Sequence, residues 1–215
     1  MRRLRAYLDA LRAHYGRPRA AEPETPFEPI VRAIVGQGAT PKSLEKALHT
    51  MRVYGLLGLE KIRELDPDTL AMAIKPAGSA GAKAARLKTF AAWFTDRFGA
   101  DPERLKALPP HRLREELLGI GGVGPETADL ILQRGLGLST AAVDTYTYRV
   151  FTRHELAIED ATYDDLKELV EKGLDPGDYG EFHSLTGRVG REFCRPKARC
   201  EHCPLKPLLP GTPAF

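Results

Sequence analysis

Apolar residues recur every three or four positions along this chain, and the helical period continues from one end to the other with almost no alternating, strand-like stretch. Leu4, Leu8, Leu11 and Tyr15 mark the first amphipathic segment. Pro, Gly, Asp or Thr bounds the segments that follow, as expected at helix ends. The pattern predicts helices near 4–15, 27–36, 41–54, 59–65, 67–74, 80–98, 102–107, 110–118, 125–134, 145–154, 162–172 and 178–193. The expected fold is all-α with short connections. GRPRAAEPETP separates the first helix from the rest, with Thr25 and Pro26 expected as N-cap and first residue of the next one. No repeat of 20–50 residues and no low-complexity tract interrupts the pattern, so the first helix must pack against something distant in sequence.

Two predicted helices, 110–118 and 125–134, are joined by GIGGVG, which is too short for anything but a tight hairpin. Gly121, Gly122 and Gly124 let the chain adopt positive φ and let a ligand approach the backbone closely. Pro125 opens the second helix without an N–H, while the neighbouring N–H groups and the helix dipole favour an anion. Such a site reads phosphate backbone and no bases. Glu126 places a negative charge beside it. The plain alternative is a hairpin whose glycines only permit a sharp turn. Three glycines at this spacing, with Ile120 and Val123 pinning the loop inward, favour the ligand. Downstream, in STAAVDTYTYRVF, Asp144 stands at the mouth of the next helix. Taken alone, an Asp there is an N-cap.

Composition adds placement more than amount. The 215 residues, 42% hydrophobic and 28% charged, suit one compact domain or two small ones. No apolar run approaches the roughly 18 residues that cross a bilayer, and the first helix lacks the apolar core and cleavage site of a signal peptide. A cytoplasmic protein is expected, nucleoid-associated in a bacterium. The net charge of +3 permits an anionic partner without requiring one. The basic residues gather at both ends, in MRRLRAYLDALRAHYGRPRA and GRVGREFCRPKARCEHCPLK. All three Cys, Cys194, Cys200 and Cys203, lie within ten residues, which argues for a metal or cluster site in a reducing compartment.

Taken in order, these motifs resemble the helix-hairpin-helix DNA glycosylases of the endonuclease III superfamily. The matching residues are Gly122-Val123-Gly124, then Val143-Asp144-Thr145 with Arg149, flanked by TPFEPIVRAIVGQGAT, KPAGSAGAKAARL and FCRPKARCEHCPL. The resemblance covers roughly residues 25–205. It implies a barrel-like helical domain over 25–135 that carries the hairpin. A second helical domain, from 1–24 plus 136–215, carries the cysteine loop. DNA is expected in the cleft between them, with both basic ends on one side. The implied partner is double-stranded DNA containing a damaged base, bound by a single chain. Asp144 becomes the catalytic carboxylate. Gly122, Val123, Gly124, Glu126 and Thr127 become DNA contacts in the hairpin, joined by Arg149 and by Gln37, which helps fill the space left by a flipped base. An ordinary exposed loop Gln is the alternative for Gln37.

The departures from the family are informative. Ser79, Ala80 and Gly81 stand where relatives carry a large apolar wedge, so flipping depends on other residues or favours weakly paired bases. Glu126 stands where the bifunctional members carry the lysine that forms a Schiff base with the sugar. A monofunctional glycosylase in base excision repair follows, and GPETA with VDTYTYRVF looks closest to the bacterial endonuclease III-type 3-methyladenine glycosylases, which favours alkylated bases. Oxidised or mismatched bases, or a DNA-binding protein with little catalysis, are the alternatives. A carboxylate second in a helix is also simply welcome to the dipole. The cysteines have the spacing Cys-x5-Cys-x2-Cys, and the family's fourth Cys is Leu209 here. A [4Fe-4S] cluster is expected, its fourth ligand open among His202, His183 and others. Zinc with His202, or free thiols, are the alternatives.

Overall fold

The computed structural model describes residues 2–18 and 22–211. Among them the fold is all-α, without a β-strand. The helices are α1 Arg2–Tyr15, α2 Glu28–Val35, α3 Pro41–Val53, α4 Leu59–Glu64, α5 Pro67–Ile74 and α6 Ala80–Phe98. They continue as α7 Pro102–Lys106, α8 Pro110–Leu118, α9 Pro125–Leu130, α10 Thr145–Arg153, α11 Tyr163–Gly173 and α12 Tyr179–Glu192. No described helix is long and apolar enough to cross a membrane.

Side-chain caps explain several starts. The Thr40 hydroxyl accepts from Ser43 N, Asp66 accepts from Thr69 N, and Thr162 and Asp165 form a reciprocal capping box. Two ends differ from the sequence expectation. α2 begins at Glu28, with Phe27 as the flanking residue and no side-chain cap, although the Thr25 hydroxyl still accepts from Glu28 N at 3.2 Å. α9 stops at Leu130 and widens into a π turn, Ile131–Gly135, in which Leu136 N donates to Ile131 O. Gly135 sits so tightly on α2 that the place of a Cβ lies 2.6 Å from Ile30 Cγ1.

The described residues fall into two compact units, 22–138 and 2–18 with 139–211. The first unit holds α2 to α9 around Ile34, Leu48, Met51, Leu87, Phe90, Leu117 and Ile131. In the second unit α1 packs with α10, α11 and α12 around Leu8, Leu11, Phe151, Val170, Phe182 and Val189. Each such side chain contributes about 1.5–3 kcal/mol on burial.

The arginines of α1 hold it to this second unit. Arg12 pairs with Asp178 at 2.5 Å and Glu181 at 2.8 Å, and Arg5 pairs with Asp178 at 2.6 Å and also with Asp175. Burial pushes the Asp178 carboxyl up, but the guanidinium groups of Arg12 and Arg5 outweigh it and hold the group below its ordinary value. Arg3 donates to the carbonyls of His154 and Glu155. The first helix thus packs against elements distant in sequence, and the charges of Arg3, Arg5 and Arg12 are engaged in that packing.

Candidate functional site

In the first unit, the loop 119–124 between α8 and α9 is pinned by Ile120 and Val123, both buried. Of the three glycines that permit positive φ, Gly122 uses it, at +83°. Gly124 is extended, and nothing lies within 4 Å of a Cβ placed on Gly121 or Gly124, so both are open to close approach. At Gly122 the opposite holds, because the place of a Cβ is 2.5 Å from Arg86 Nε. The Arg86 guanidinium donates to Gln37 Oε1, and Gln37 Nε2 donates to Thr127 Oγ1. Gln37 is half-buried, its amide bonded at both ends to α6 and α9. Its exposed-loop alternative is thereby excluded for this conformation.

The hairpin's two helices are tied by Arg114 Nε, which donates to Asp129 Oδ1 at 3.0 Å, with Asp129 fully buried. Gly124 gives α9 no side-chain cap, and half-buried Glu126 stands in its first turn after Pro125. In the loop before α6, Gly78 and Ser79 take φ of +72° and +47°, and Ser79 is exposed. Lys83 is buried beneath this loop and donates to Ala77 O at 2.8 Å. Burial pushes its amine below the ordinary lysine value.

In the second unit, Asp144 caps α10. Its Oδ1 accepts from Tyr146 N at 3.0 Å, Thr147 N at 2.7 Å and Thr147 Oγ1 at 3.0 Å. The approach segment is fixed as well: Ala141 N donates to Glu171 at 2.9 Å and Lys167 Nζ to Ala141 O at 3.1 Å. Ala141, Ala142 and Val143 are buried. The second oxygen, Oδ2, lies 3.9 Å from His183 Nε2 on α12. His183, weighed from sequence as a cluster ligand, stands against Asp144 instead. A carboxylate fixed by one oxygen and presenting the other can stabilise a developing cation.

Arg149 Nη1 donates to Cys194 O at 2.8 Å, and its guanidinium lies over the Tyr146 ring. Arg153 reaches Cys194 Sγ at 3.4 Å and donates to the carbonyls of Arg195 and Pro196. These bonds join α10 to the cysteine loop. Cys194 is buried, Cys203 half-buried and Cys200 exposed. Burial pushes the Cys203 thiol up, and nearby Cys200 and Cys194 add to the shift, so the sulfurs are close enough to interact. Among the described residues the three sulfurs do not all lie within 4.8 Å of one another. Leu209, which stands at the place of the family's fourth Cys, supplies no donor.

The HhH-GPD family model, a superfamily of base excision DNA repair proteins, matches residues 31–176. A candidate DNA repair glycosylase of Methanocaldococcus jannaschii is 40% identical over 197 residues, covering 90% of this chain and 89% of its own. A trapped endonuclease III–DNA covalent intermediate is similar with a TM-score of 0.79 at 20% identity, covering 96% of this chain and 94% of that one. The Helicobacter pylori 3-methyladenine DNA glycosylase bound to 1,N6-ethenoadenine has a TM-score of 0.73 at 24% identity, covering 87% and 96%. These two structures share the fold.

Proposed function

The chain belongs to the HhH-GPD superfamily of base excision DNA repair proteins, and from that premise we propose that it is a monofunctional glycosylase releasing damaged, preferentially alkylated, bases from duplex DNA. The observation that carries this reading is Glu126 in the first turn of α9, the position of the Schiff-base lysine in bifunctional members. A carboxylate forms no Schiff base with C1′. No lysine stands within the hairpin GIGGVGPET, and Lys83 is buried and bonded to Ala77 O.

Asp144 is the catalytic carboxylate. Breaking the bond between base and deoxyribose develops positive charge on the sugar, and Oδ2 stabilises it and orients the attacking water. The hairpin from Gly122 to Thr127 holds the phosphate backbone, Gly121 and Gly124 admitting it closely. Gln37 leaves its bonds with Arg86 and Thr127 to fill the stack when a base is flipped, and Arg149 couples the cysteine loop to α10. With small exposed Ser79 in place of a wedge, weakly paired lesions are favoured. An alkylated purine carries its own positive charge and departs with little leaving-group help. Cys194, Cys200 and Cys203 are the residues that would hold a [4Fe-4S] cluster, whose charge exposed Arg195, Lys197 and Arg199 of the same loop would balance.

Duplexes carrying alkylated, oxidised or deaminated bases test the reading. Base release from the alkylated duplex, strand cutting only after alkali, and loss of release in Asp144→Asn are expected. Binding without release from any duplex would leave a DNA-binding protein, and release from the oxidised duplex alone would reassign the substrate.

A further inference from the structure

We infer that Arg191 of α12 seats a phosphate of the very nucleotide whose base is removed. At Gly187 the place of a Cβ lies 3.6 Å from Asp144 Oδ2 and 3.1 Å from Arg191 Nη1. Carboxylate and guanidinium thus both lie against buried Gly187, where only a glycine leaves them room, yet among the described residues they form no ion pair with each other. Arg191 is half-buried, with Cζ 5.5 Å from the centre of the Tyr146 ring. The ring is itself fixed, because it occupies the side-chain space of Gly190, whose Cβ position is 2.5 Å from Tyr146 Cβ.

Arg149 shares that ring but donates to Cys194 O. The Arg191 guanidinium donates to no carboxylate or carbonyl among the described residues, and its contact is the aromatic face. A guanidinium held this way presents a planar fork of donors, which matches phosphate oxygens. The inference rests on Asp144 meeting the sugar. With C1′ at Asp144 Oδ2, the nearest negative groups of the substrate are the nucleotide's own phosphates, one sugar ring away. Arg191 stands at that remove, so it fixes the sugar over the carboxylate by holding the phosphate beside it.

Binding of the full chain to a duplex with a tetrahydrofuran abasic analogue tests this without any chemistry. Arg191→Gln is expected to weaken binding about tenfold and to lower the slope of log affinity against log salt by about one. Arg191→Lys, which keeps the stem and the charge, keeps the slope and recovers part of the affinity. A single neutral methylphosphonate is then placed 5′ or 3′ of the abasic residue. At one of these positions it costs the wild type about tenfold and costs Arg191→Gln nothing further. Equal penalties in the two proteins at both positions overturn the inference, as does a lost salt slope in Arg191→Lys. Failure of base release from every damaged duplex is scored in a separate excision assay, and it removes the role of Asp144 whatever the phosphate result.

Discussion

The starts of α9 and α10 solve the same problem in opposite ways. Each helix begins with N–H groups that its own backbone does not satisfy. α10 closes its start with Asp144, whose Oδ1 takes two backbone N–H groups and the Thr147 hydroxyl. α9 has Gly124 at the same position and no side-chain cap, with open space at Gly121 and Gly124. A carboxylate is present at both starts, but its place decides its work. At the N-cap its Oδ1 is immobilised, and on the proposed reading Oδ2 meets the substrate. Two positions later, as Glu126, it leaves the start of α9 without a side-chain cap, and on the proposed reading those N–H groups meet a phosphate and Glu126 stands where bifunctional members carry a nucleophile.

The largest effect expected separates capping from chemistry at Asp144. Asn caps a helix as well as Asp, so Asp144→Asn should change stability by less than about 0.5 kcal/mol while lowering base release about 10³-fold. Asp144→Ala should lose the same activity and, in addition, about 1 kcal/mol of stability. Thermal denaturation and single-turnover excision read the two separately. Substantial release by Asp144→Asn would mean that the carboxylate is only a cap.

At the other helix start, Gly122→Ala meets both a positive φ and the Arg86 guanidinium. A loss of about 2 kcal/mol is expected in urea denaturation, with part of it recovered when Arg86→Ala is added. Gly121→Ala, in open space, should stay within about 0.5 kcal/mol. Equal effects at the two glycines would show that Arg86 does not occupy the hairpin as described.

A smaller effect distinguishes the units by pH. His154, at the far end of α10, is buried and shares a 2.9 Å hydrogen bond between Nδ1 and the Tyr7 hydroxyl. Burial holds its imidazole below the ordinary value of 6.5. The unfolded chain therefore binds the proton first, so this contribution is complete above pH 6.5 and is lost as pH falls below it. The histidines of the first unit, His49 and His111, are exposed. Between pH 7 and 5.5 the wild-type melting temperature should fall more than that of His154→Gln. Parallel curves would remove His154 as the cause.

What the sequence made legible follows from how far apart the cooperating residues lie. Helix period and caps are local, and so the spans of α1 to α8 and of α10 to α12 agree with prediction to within two residues. The π turn at Ile131 escaped because nothing local in the sequence marks it, and the close packing of its last residue, Gly135, is against Ile30, about a hundred positions earlier. The hairpin was visible as a string of glycines, but that Arg86 fills the side-chain space of Gly122, and that Gln37 bonds residues in two other helices, depend on positions far from it in sequence. That the first helix packs against something distant was legible, but its ion-pair partners, Asp178 and Glu181, were not, because they lie far along the chain. One missed signal was in plain sight. His183, Gly187 and Arg191 follow one another at steps of four, the spacing of a single helix face.

Borohydride reduction during base release is the most direct test of the account's central claim, because it converts a Schiff base between protein and sugar into a permanent bond. With Glu126 in the first turn of α9 and Asp144 acting through water, the wild-type protein should release the base and leave the strand intact until alkali is added, with no protein trapped on DNA. A covalent protein–DNA complex formed by the wild-type chain would contradict it.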